Sequence, residues 1–315
     1  MGRPLRIEYP GAFYHVTSRG NEKKDVFKSL KDREKFLSYL ESATERYGAV
    51  IHVFCLMSNH YHLLMETPEG NLSHIMRHIN GAYTNYFNAK RKRAGHLFQG
   101  RYKAILLEKD AYALELSRYI HLNPVRAGMV QTPEEYRWSS YQYYVGTVVK
   151  PHWLKITDQL GYFHGEERAK QKSYKTFVEE AIGEDTENPL DASCGTSILG
   201  SHEFIARIAE EHLRDKGEDP DIPDLRKVAR RWSLEEIIDA VNSIVQEDNP
   251  LARKFSIYMC HQFSGVQLKE IGQLFGVGAA GISQESRRFV NLMKSNSELK
   301  KVVDQLREKI RSVNV

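Results

Sequence analysis

Residues 49–67, "AVIHVFCLMSNHYHLLMET", predict a β-hairpin at the centre of the fold. Two apolar runs rich in strand-forming residues flank Ser58–Asn59, a pair that favours a turn, so the runs are expected to pair as antiparallel strands. Strand alternation places His60 and His62 on one face, about 7 Å apart along the strand. Two imidazoles on one face can converge on a metal ion or a phosphate. The same short pattern also fits two histidines on a solvated strand face.

The elements predicted on either side of this hairpin give the order β-α-β-β-α-β with a trailing helix. They are a strand over 11–21 that ends at Gly20, a helix over 29–48 capped by Ser29 or Asp32 and stopped by Gly48, a helix over 71–92, a strand over 100–108, and a helix over 110–123 that is capped by Asp110 and ended by Pro124. This order predicts an α+β fold with a ferredoxin-like antiparallel sheet and helices on one of its faces. The other face is then expected to be open to a ligand.

Length and composition indicate a protein of two or three domains with an ordinary core. The chain has 315 residues, is 41% hydrophobic and carries a net charge of +4. No apolar run reaches the length of a membrane span, the segment "MGRPLRIEYPG" has no hydrophobic signal core, and the three cysteines Cys55, Cys194 and Cys260 lie far apart. These features favour a reducing, cytoplasmic location. The domain boundaries are expected at 1–150, 151–225 (a helical linker region) and 226–315.

Charge is distributed unevenly along the chain. Residues 1–150 contain 22 Lys and Arg against 14 Asp and Glu, whereas the remainder contains 23 against 27. Between residues 70 and 107 there are seven basic residues and no acidic one: Arg77, Lys90, Arg91, Lys92, Arg93, Arg101 and Lys103. Such a field favours binding of a polyanion, most simply nucleic acid. The run at 90–93 alone would also fit the solvated end of a helix.

The third predicted helix supplies candidate partners for the two histidines. Tyr119 and Asn123 are four residues apart and therefore share a helix face. An amide oxygen beside two imidazoles would form a three-ligand site suited to Mg²⁺ or Mn²⁺. A neighbouring phenol is then a candidate nucleophile, with the metal offsetting the charge that develops on a phosphate. The alternatives are a tyrosine that only packs and an asparagine that only precedes a helix-ending proline.

Four stretches, in order, resemble the REP-associated tyrosine transposases, which are relatives of the single-tyrosine insertion-sequence transposases in the HUH nuclease superfamily. They are "YHVTSRGN", "MSNHYHLLME", "GHLFQGRYKAILLE" and "RYIHLNPVRAGMV". The resemblance covers about the first 150 residues. It places the family's two metal-binding histidines on His60 and His62, its nucleophile on Tyr119, and its third metal ligand on Asn123. No departure from the family's motifs is found in these stretches.

The chemistry implied by the resemblance is metal-dependent cleavage and rejoining of single-stranded DNA at palindromic repeats folded as hairpins. Tyr119 would form a 5′-phosphotyrosine link, and a 3′-hydroxyl would later reseal the strand. The family implies a monomer or a homodimer. The residues expected to contact DNA in this part of the chain are Arg19, Asn21, Lys90, Arg91, Lys92, Arg93, Arg101 and Lys103.

Some neighbouring side chains are given weaker or no roles. Tyr14, Phe98 and Tyr102 are candidates for stacking on unpaired bases, with core packing as the alternative. His15 and His52 are interpreted as ordinary strand histidines. His121 lies near the site along the helix but is expected to point away from it.

The last 90 residues predict a second DNA-binding element. A helix over 257–263, a short helix ending at Gly276 and a further helix after Gly278 have the pattern of a helix-turn-helix, with Arg287 and Arg288 available to phosphates. A plain helical bundle fits the same periodicity. Residues 228–310 resemble the DNA-binding domain of the bacterial replication initiator DnaA, most closely at "LKEIGQLFG". The base-reading Asp-His-Thr of that family is replaced by "GAAGIS", and the chain has no GxxxxGK[ST] motif, which excludes an ATPase initiator.

Two rival functions follow from the same sequence. One is a non-catalytic DNA-binding regulator that recognises hairpins, although such a protein has no need of all four of His60, His62, Tyr119 and Asn123. The other is an RNA-binding protein on a ferredoxin-like sheet, which would require an aromatic RNP1 run that the chain lacks.

Overall fold

The structure is a computed structural model that describes residues 7–183, 188–192, 197–212, 233–245, 250–264 and 266–312. The chain divides into two compact units. The N-terminal unit comprises Arg6–Leu107 and Leu116–Gly183, and the C-terminal unit comprises Met1–Leu5, Glu108–Glu115 and Glu184–Val315. The domain boundaries expected from the sequence stay predictions. Cys194 and parts of the expected linker lie outside the described residues.

The strands and helices of the N-terminal part follow the order expected from the sequence. They are β1 (Ala12–Arg19), α1 (Leu30–Tyr47), β2 (Val50–Leu56), β3 (His60–Thr67), α2 (Leu72–Lys90), β4 (Lys103–Leu107), α3 (Lys109–Arg126), α4 (Tyr141–Tyr144), α5 (Thr157–Leu160) and α6 (Glu167–Glu179). Ser29 caps α1 by accepting a hydrogen bond from the Asp32 amide, and Gly48 ends it in the left-handed conformation, at φ 64°. Both ends of α1 are therefore as expected.

The strands of this unit lie in the order β2-β3-β1-β4, with every neighbouring pair antiparallel. This confirms the ferredoxin-like arrangement and the α+β class. Helices α1 and α2 pack against the face that carries Tyr61, whose ring lies 4.7 Å from that of Phe36 in α1. The apolar positions expected on one side of α2 are all buried there: Leu72, Ile75, Ile79, Tyr83 and Phe87.

The opposite face of the sheet is not open, contrary to expectation. Five consecutive residues of β3 are buried, as is typical of a strand covered on both faces. Helix α3 lies on this face, where the ring of Tyr119 is 6.2 Å from that of His62. The segment after α3 pairs with the edge of the sheet at β2, where the Leu56 amide donates to the Trp138 carbonyl and the Ser140 amide to the Phe54 carbonyl. Only part of this face therefore remains for a ligand.

Helix α3 runs two residues past Pro124, which was expected to end it, and it begins at Lys109 rather than after Asp110. A proline removes one backbone donor from a helix, and here the loss falls within the last turn, where the carbonyl of Ile120 would have been its acceptor. Its residues 109–115 belong to the C-terminal unit and 116–126 to the N-terminal unit.

The C-terminal unit is mainly helical. Beyond a two-residue strand, β5 (Ile198–Leu199), it contains α7 (His202–His212), α8 (Leu234–Asn242), α9 (Ala252–Phe263), α10 (Leu268–Phe275), α11 (Ala279–Ser295) and α12 (Ser297–Ser312). Helices α8 to α12 share one apolar core that includes Phe255, Tyr258 and Phe289. Within the described ranges no helix is long and apolar enough to cross a membrane.

Candidate active site

Strand β3 and helix α3 bring His60, His62 and Tyr119 together on one face of the sheet. The rings of His60 and His62 have centroids 5.0 Å apart, and the ring of Tyr119 lies 6.2 Å from that of His62, nearly perpendicular to it. His62 is buried, whereas His60 and Tyr119 are partly exposed. The face is therefore accessible at the His60 end.

Each of these two histidines makes a hydrogen bond through its Nδ1 atom. His60 Nδ1 lies 2.7 Å from Asn59 Oδ1, and His62 Nδ1 lies 2.9 Å from His15 Nε2. His15 is therefore in contact with a candidate site residue, and its interpretation as an ordinary strand histidine stays a prediction. Strand register explains the contact: Thr17 is opposite His62, so His15, two residues away, lies on the same face. Only the pairing of β1 with β3, which no local pattern states, would have revealed this contact.

Both metal-ligand candidates are neutral imidazoles near pH 7. Burial, together with the charge of Arg19, lowers the pKa of His60 to about 4. Burial also lowers the pKa of His62 well below its usual value, with smaller contributions from His15, His60 and Arg19. A neutral imidazole has one unprotonated nitrogen, which is the form that a metal ion requires.

The proline that follows Asn123 helps to orient its amide. Pro124 has no N–H, so the carbonyl of Ile120 loses its helical donor. Asn123 Nδ2 lies 3.5 Å from that carbonyl and 2.9 Å from the Tyr119 carbonyl. With its nitrogen held against the helix, the amide presents Oδ1 as its remaining ligand atom. The expectation that the "NP" pair ends the helix is wrong, since α3 continues to Arg126, whereas the role of Asn123 as a metal ligand stays a prediction.

Arg126 is a site residue that the sequence gave no reason to select. Its guanidinium carbon lies 4.9 Å from the centre of the Tyr119 ring, one turn of α3 beyond Asn123. A cation over the face of a phenol ring attracts its electrons, by roughly 0.5–2 kcal/mol. Arg126 is exposed, so this contact is a weak one that helps to hold the Tyr119 ring in place.

The donor set of these residues fits a divalent metal ion. Two neutral imidazole nitrogens and one amide oxygen are ligands that Mn²⁺ accepts, and Mg²⁺ tolerates them with water completing its shell. In the described part of the chain, two groups of at least three His, Cys, Asp or Glu lie close enough to hold a metal, and both are elsewhere: Glu41, Glu45 and His152, and His52, Glu66 and Asp158.

Two of the basic residues expected to contact DNA border the site. Arg19 is exposed and lies directly opposite His60 in the pairing of β1 with β3. Lys103 is exposed and lies opposite Thr17, on the same face. Asn21, also exposed, follows Arg19 in a loop whose backbone bonds to Leu97.

The run at 90–93 divides into two pairs. Lys90 and Arg91 both form ion pairs with the buried carboxylate of Asp32 in α1, and Arg91 also stacks on Phe87 at 3.9 Å. Lys92 is exposed and has a positive φ of 48°, and Arg93 donates to the His96 carbonyl at 3.1 Å. The first pair is therefore engaged in holding α1 against α2.

A groove of about 520 Å³ lies between α2 and the loop that precedes β4. Its lining contains two arginines and no acidic residue, and it includes Arg77, Asn80, Thr84, Phe98, Arg101 and Tyr102. Tyr102 and Phe98 line it although each is less than a tenth exposed, whereas Tyr14 is buried with its hydroxyl donated to the Ile7 carbonyl. Of the three stacking candidates, Phe98 and Tyr102 therefore line this groove and Tyr14 does not.

Two further residues singled out by the sequence have partners of their own. His121 is buried between Tyr174 and Ser140, each 2.8 Å from one of its ring nitrogens, and burial lowers its pKa to about 3. It points away from the site, as expected. In the C-terminal unit, Arg288 is exposed and lies 3.4 Å from Glu285, one turn before it on α11.

Helices α10 and α11 meet at a tight turn. Gly276 ends α10 with φ 66°, and Gly278 caps α11. Gly272 allows this turn to approach α10, since a Cβ there would lie 2.4 Å from the Val277 carbonyl oxygen. A glycine-containing turn between two helices is what the sequence predicts here, and the helix-turn-helix itself stays a prediction.

Comparison with known proteins gives matches over the N-terminal part. Residues 9–123 match the family model described as "Transposase IS200 like". The curated protein of Haemophilus influenzae named "Putative REP-associated tyrosine transposase" is 26% identical over an alignment of 142 residues. This alignment covers 39% of this chain and 81% of that protein. A solved structure of a REP-associated tyrosine transposase bound to a REP hairpin is 16% identical, with a TM-score of 0.41, over 53% of this chain and 93% of the other. The range matched by the family model includes His60, His62, Tyr119 and Asn123.

Proposed function

We propose that this chain, whose residues 9–123 match the family model of IS200-like transposases, cleaves and rejoins single-stranded DNA at hairpin-forming repeats through a 5′-phosphotyrosine intermediate. One observation carries the proposal. The phenol of Tyr119 on α3 lies beside two neutral imidazoles on β3, on the same face of the sheet. A nucleophile next to a ligand set for a divalent metal is the arrangement that phosphoryl transfer from DNA requires.

The reaction exchanges one phosphate ester for another. The oxygen of Tyr119 attacks a backbone phosphorus, the bond from phosphorus to the 3′-oxygen breaks, and that oxygen leaves as a 3′-hydroxyl. In the second step a 3′-hydroxyl attacks the phosphotyrosine, and Tyr119 is released as a phenol. Since one ester replaces another in each step, no external energy source is needed. Arg126, over the Tyr119 ring, helps to hold the phenol in position.

A divalent metal, Mg²⁺ or Mn²⁺, would be held by His60 Nε2, His62 Nε2 and Asn123 Oδ1. When bound, it polarises the phosphate oxygens and offsets the charge that develops during attack. The protein's own contribution is orientation. Asn59 and His15 fix the two imidazoles, and the helix carbonyls fix the Asn123 amide.

The basic residues near the site are proposed to hold the DNA backbone. Arg19 and Lys103 border the histidines on the same face. The groove beside α2 adds Arg77 and Arg101, with Phe98 and Tyr102 as surfaces on which an unpaired base can stack. A groove with both charge and aromatic rings favours single-stranded or looped DNA over a rigid duplex.

The C-terminal unit is proposed to contact duplex DNA through α10 and α11. The tight turn at Gly276–Gly278 would present the start of α11 to a major groove, with Arg287 and Arg288 near phosphates. The first turn of α11 contains no Asp, His or Thr. The specificity of the DnaA-type initiators is therefore not proposed.

The decisive experiment is a cleavage assay with a single-stranded hairpin oligonucleotide drawn from repeats near the gene. Wild-type protein with Mn²⁺ or Mg²⁺ is expected to form a covalent protein–DNA adduct that survives denaturing electrophoresis. Tyr119→Phe should abolish the adduct. Tyr39→Phe is the matched control, since this tyrosine lies on α1, on the other side of the sheet.

The second candidate function is a non-catalytic regulator that recognises the same hairpins. The basic and aromatic groove beside α2 would serve that function equally well. Tight hairpin binding without an adduct, under either metal, would favour the regulator and contradict the proposed enzyme.

A further inference from the structure

We infer that Asn59 and His15 are positioning residues that occupy the Nδ1 atoms of His60 and His62, so that both histidines ligate metal through Nε2. This inference rests on the proposed function, because it concerns the same metal site. It assigns a role to two side chains that no sequence motif singled out for the chemistry.

The orientation of the Asn59 amide is fixed by its second hydrogen bond. Asn59 Nδ2 donates to the Lys23 carbonyl at 2.9 Å, and a carbonyl can only accept. The oxygen of the amide must therefore be the atom that faces His60 Nδ1, 2.7 Å away. Since that oxygen can only accept, His60 carries its proton on Nδ1 and keeps the lone pair of Nε2 for a metal ion.

The backbone holds Asn59 in place for this task. Its carbonyl accepts a hydrogen bond from the Gly20 amide, and the carbonyl of the preceding Ser58 accepts from the amides of Val26 and Phe27. The turn between β2 and β3 is thus bound to the loop after β1. The acceptor that faces His60 is held by contacts on both its side chain and its backbone.

His15 plays the corresponding part for His62. Its Nε2 lies 2.9 Å from His62 Nδ1, and both rings are almost fully buried and nearly parallel, at 17°. With its Nδ1 engaged in this bond, His62 can reach a metal only through Nε2. The bond is then donated by His62 to His15, which carries its own proton on Nδ1. Partners of this kind hold metal-binding histidines in one tautomer and one ring orientation, and their loss typically lowers metal affinity 10- to 100-fold.

Substitutions of Asn59 and His15 show whether these residues position the metal-binding histidines or only stabilise the fold. Asn59→Leu and His15→Leu remove the acceptors, and each is expected to lower Mn²⁺ affinity, measured by calorimetry, about 10- to 100-fold. Asn59→Asp and His15→Gln keep an acceptor and should restore most of the affinity. A carboxylate at 59 would face the Lys23 carbonyl without a donor, so a purely structural role would predict no rescue. Ser42→Ala is the control, since it removes the partner of His78 on α2, 3.2 Å away.

The wild-type protein gives an independent readout by ¹⁵N NMR of its histidine rings with Zn²⁺ as a diamagnetic probe. The expected spectrum shows His60 and His62 protonated at Nδ1 and ligated through Nε2. Ligation through Nδ1 of either ring, no binding of Mn²⁺ or Zn²⁺ at these residues, or unchanged Mn²⁺ affinity in both leucine variants would overturn the inference. A failure to form the DNA adduct, with Nε2 ligation intact, would instead refute the proposed function alone.

Discussion

The ammonium group of Lys90 at the end of α2 lies 2.8 Å from the carboxylate of Asp32 at the start of α1, and Arg91 pairs with the same carboxylate. Asp32 is fully buried and also accepts a hydrogen bond from the Lys28 amide. A buried carboxylate requires such partners, because an unpaired charge in the interior is costly. Two of the four basic residues in the run at 90–93, Lys90 and Arg91, therefore stabilise the fold.

Lys92 and Arg91 should consequently respond differently to substitution. Lys92→Ala is expected to weaken hairpin binding and to lower the slope of log affinity against log salt by about 1, with the free energy of unfolding unchanged. Arg91→Ala leaves Asp32 short of a partner and should lower the free energy of unfolding by about 3 kcal/mol. Binding titrations at several salt concentrations and urea unfolding measure the two effects. An equal loss of unfolding free energy in Lys92→Ala and Arg91→Ala would contradict the claim that only Arg91 stabilises the fold.

The same ion pairs predict a loss of stability in acid. Burial alone would raise the pKa of Asp32, but hydrogen bonds from Arg91, Lys90, Lys28 and Ser29 outweigh it and hold the pKa well below its usual value. The stabilisation is therefore complete above about pH 5 and declines as the pH falls through about 4, the unfolded value, towards the lower folded value. Urea unfolding of wild type and Asp32→Asn across this range should show a stability difference at pH 7 that shrinks in acid. A constant difference would count against the ion pairs as its source.

Local sequence patterns were sufficient for the fold of the first 126 residues. Period-two runs, the Ser29 and Gly48 caps and the spacing of Leu72 to Phe87 are local signals, and each corresponds to an observed element. The sequence did not predict that the second face of the sheet is covered. The residues that cover it come after residue 110, and no local pattern shows where they pack. The continuation of α3 past Pro124 was missed for a related reason. The Asn123 side chain donates to the Ile120 carbonyl in place of the N–H that Pro124 lacks, although at 3.5 Å this bond is long.

The candidate site divides in the same way. His60, His62, Tyr119 and Asn123 were predictable because each pair has a spacing that puts both members on one face. His15, Asn59 and Arg126 were not, since His15 depends on strand register, Asn59 on a distant loop carbonyl and Arg126 on ring geometry. Charge patterning identified Lys90 and Arg91 as candidates for DNA contact without showing that a buried acid 58 and 59 residues away engages them.

Two glycines should respond in opposite directions to alanine. A Cβ at Gly20 would lie 2.0 Å from the Lys24 carbonyl oxygen, so Gly20→Ala must displace the loop that supports Asn59 and is expected to cost about 3 kcal/mol. Gly81 lies within α2 with nothing within 4 Å of an added Cβ. Gly81→Ala should therefore raise the free energy of unfolding by about 0.5–1 kcal/mol. Thermal or urea unfolding of both variants tests the pair, and a destabilised Gly81 variant would show that the space beside α2 is not open.

Substitution of Arg77 tests whether the groove beside α2 binds DNA. Arg77 is exposed and lines the groove, so Arg77→Ala should weaken binding of the hairpin oligonucleotide and lower the salt slope by about 1. Arg46→Ala removes the same charge from the exposed end of α1 and is the control. Affinity is measured with the Tyr119→Phe protein as background, so that cleavage does not alter the oligonucleotide. Equal effects of the two substitutions would indicate general charge attraction and not a path through the groove.

Asn123 and Pro124 allow ligand identity and ligand orientation to be tested separately. Asn123→Ala removes the third ligand and should lower Mn²⁺ affinity and adduct formation more than tenfold. Pro124→Ala leaves the ligand but restores an N–H that can bond to the Ile120 carbonyl, so the Asn123 amide loses one of the two contacts that orient it. The free energy of unfolding should be unchanged or raised, since a proline inside a helix is unfavourable, while Mn²⁺ affinity falls severalfold. Calorimetry with Mn²⁺ and urea unfolding, run on the same preparations, separate the two effects. Wild-type metal affinity in Pro124→Ala would mean that the Tyr119 carbonyl alone orients the amide, and that the proline's place beside the ligand has no part in the chemistry.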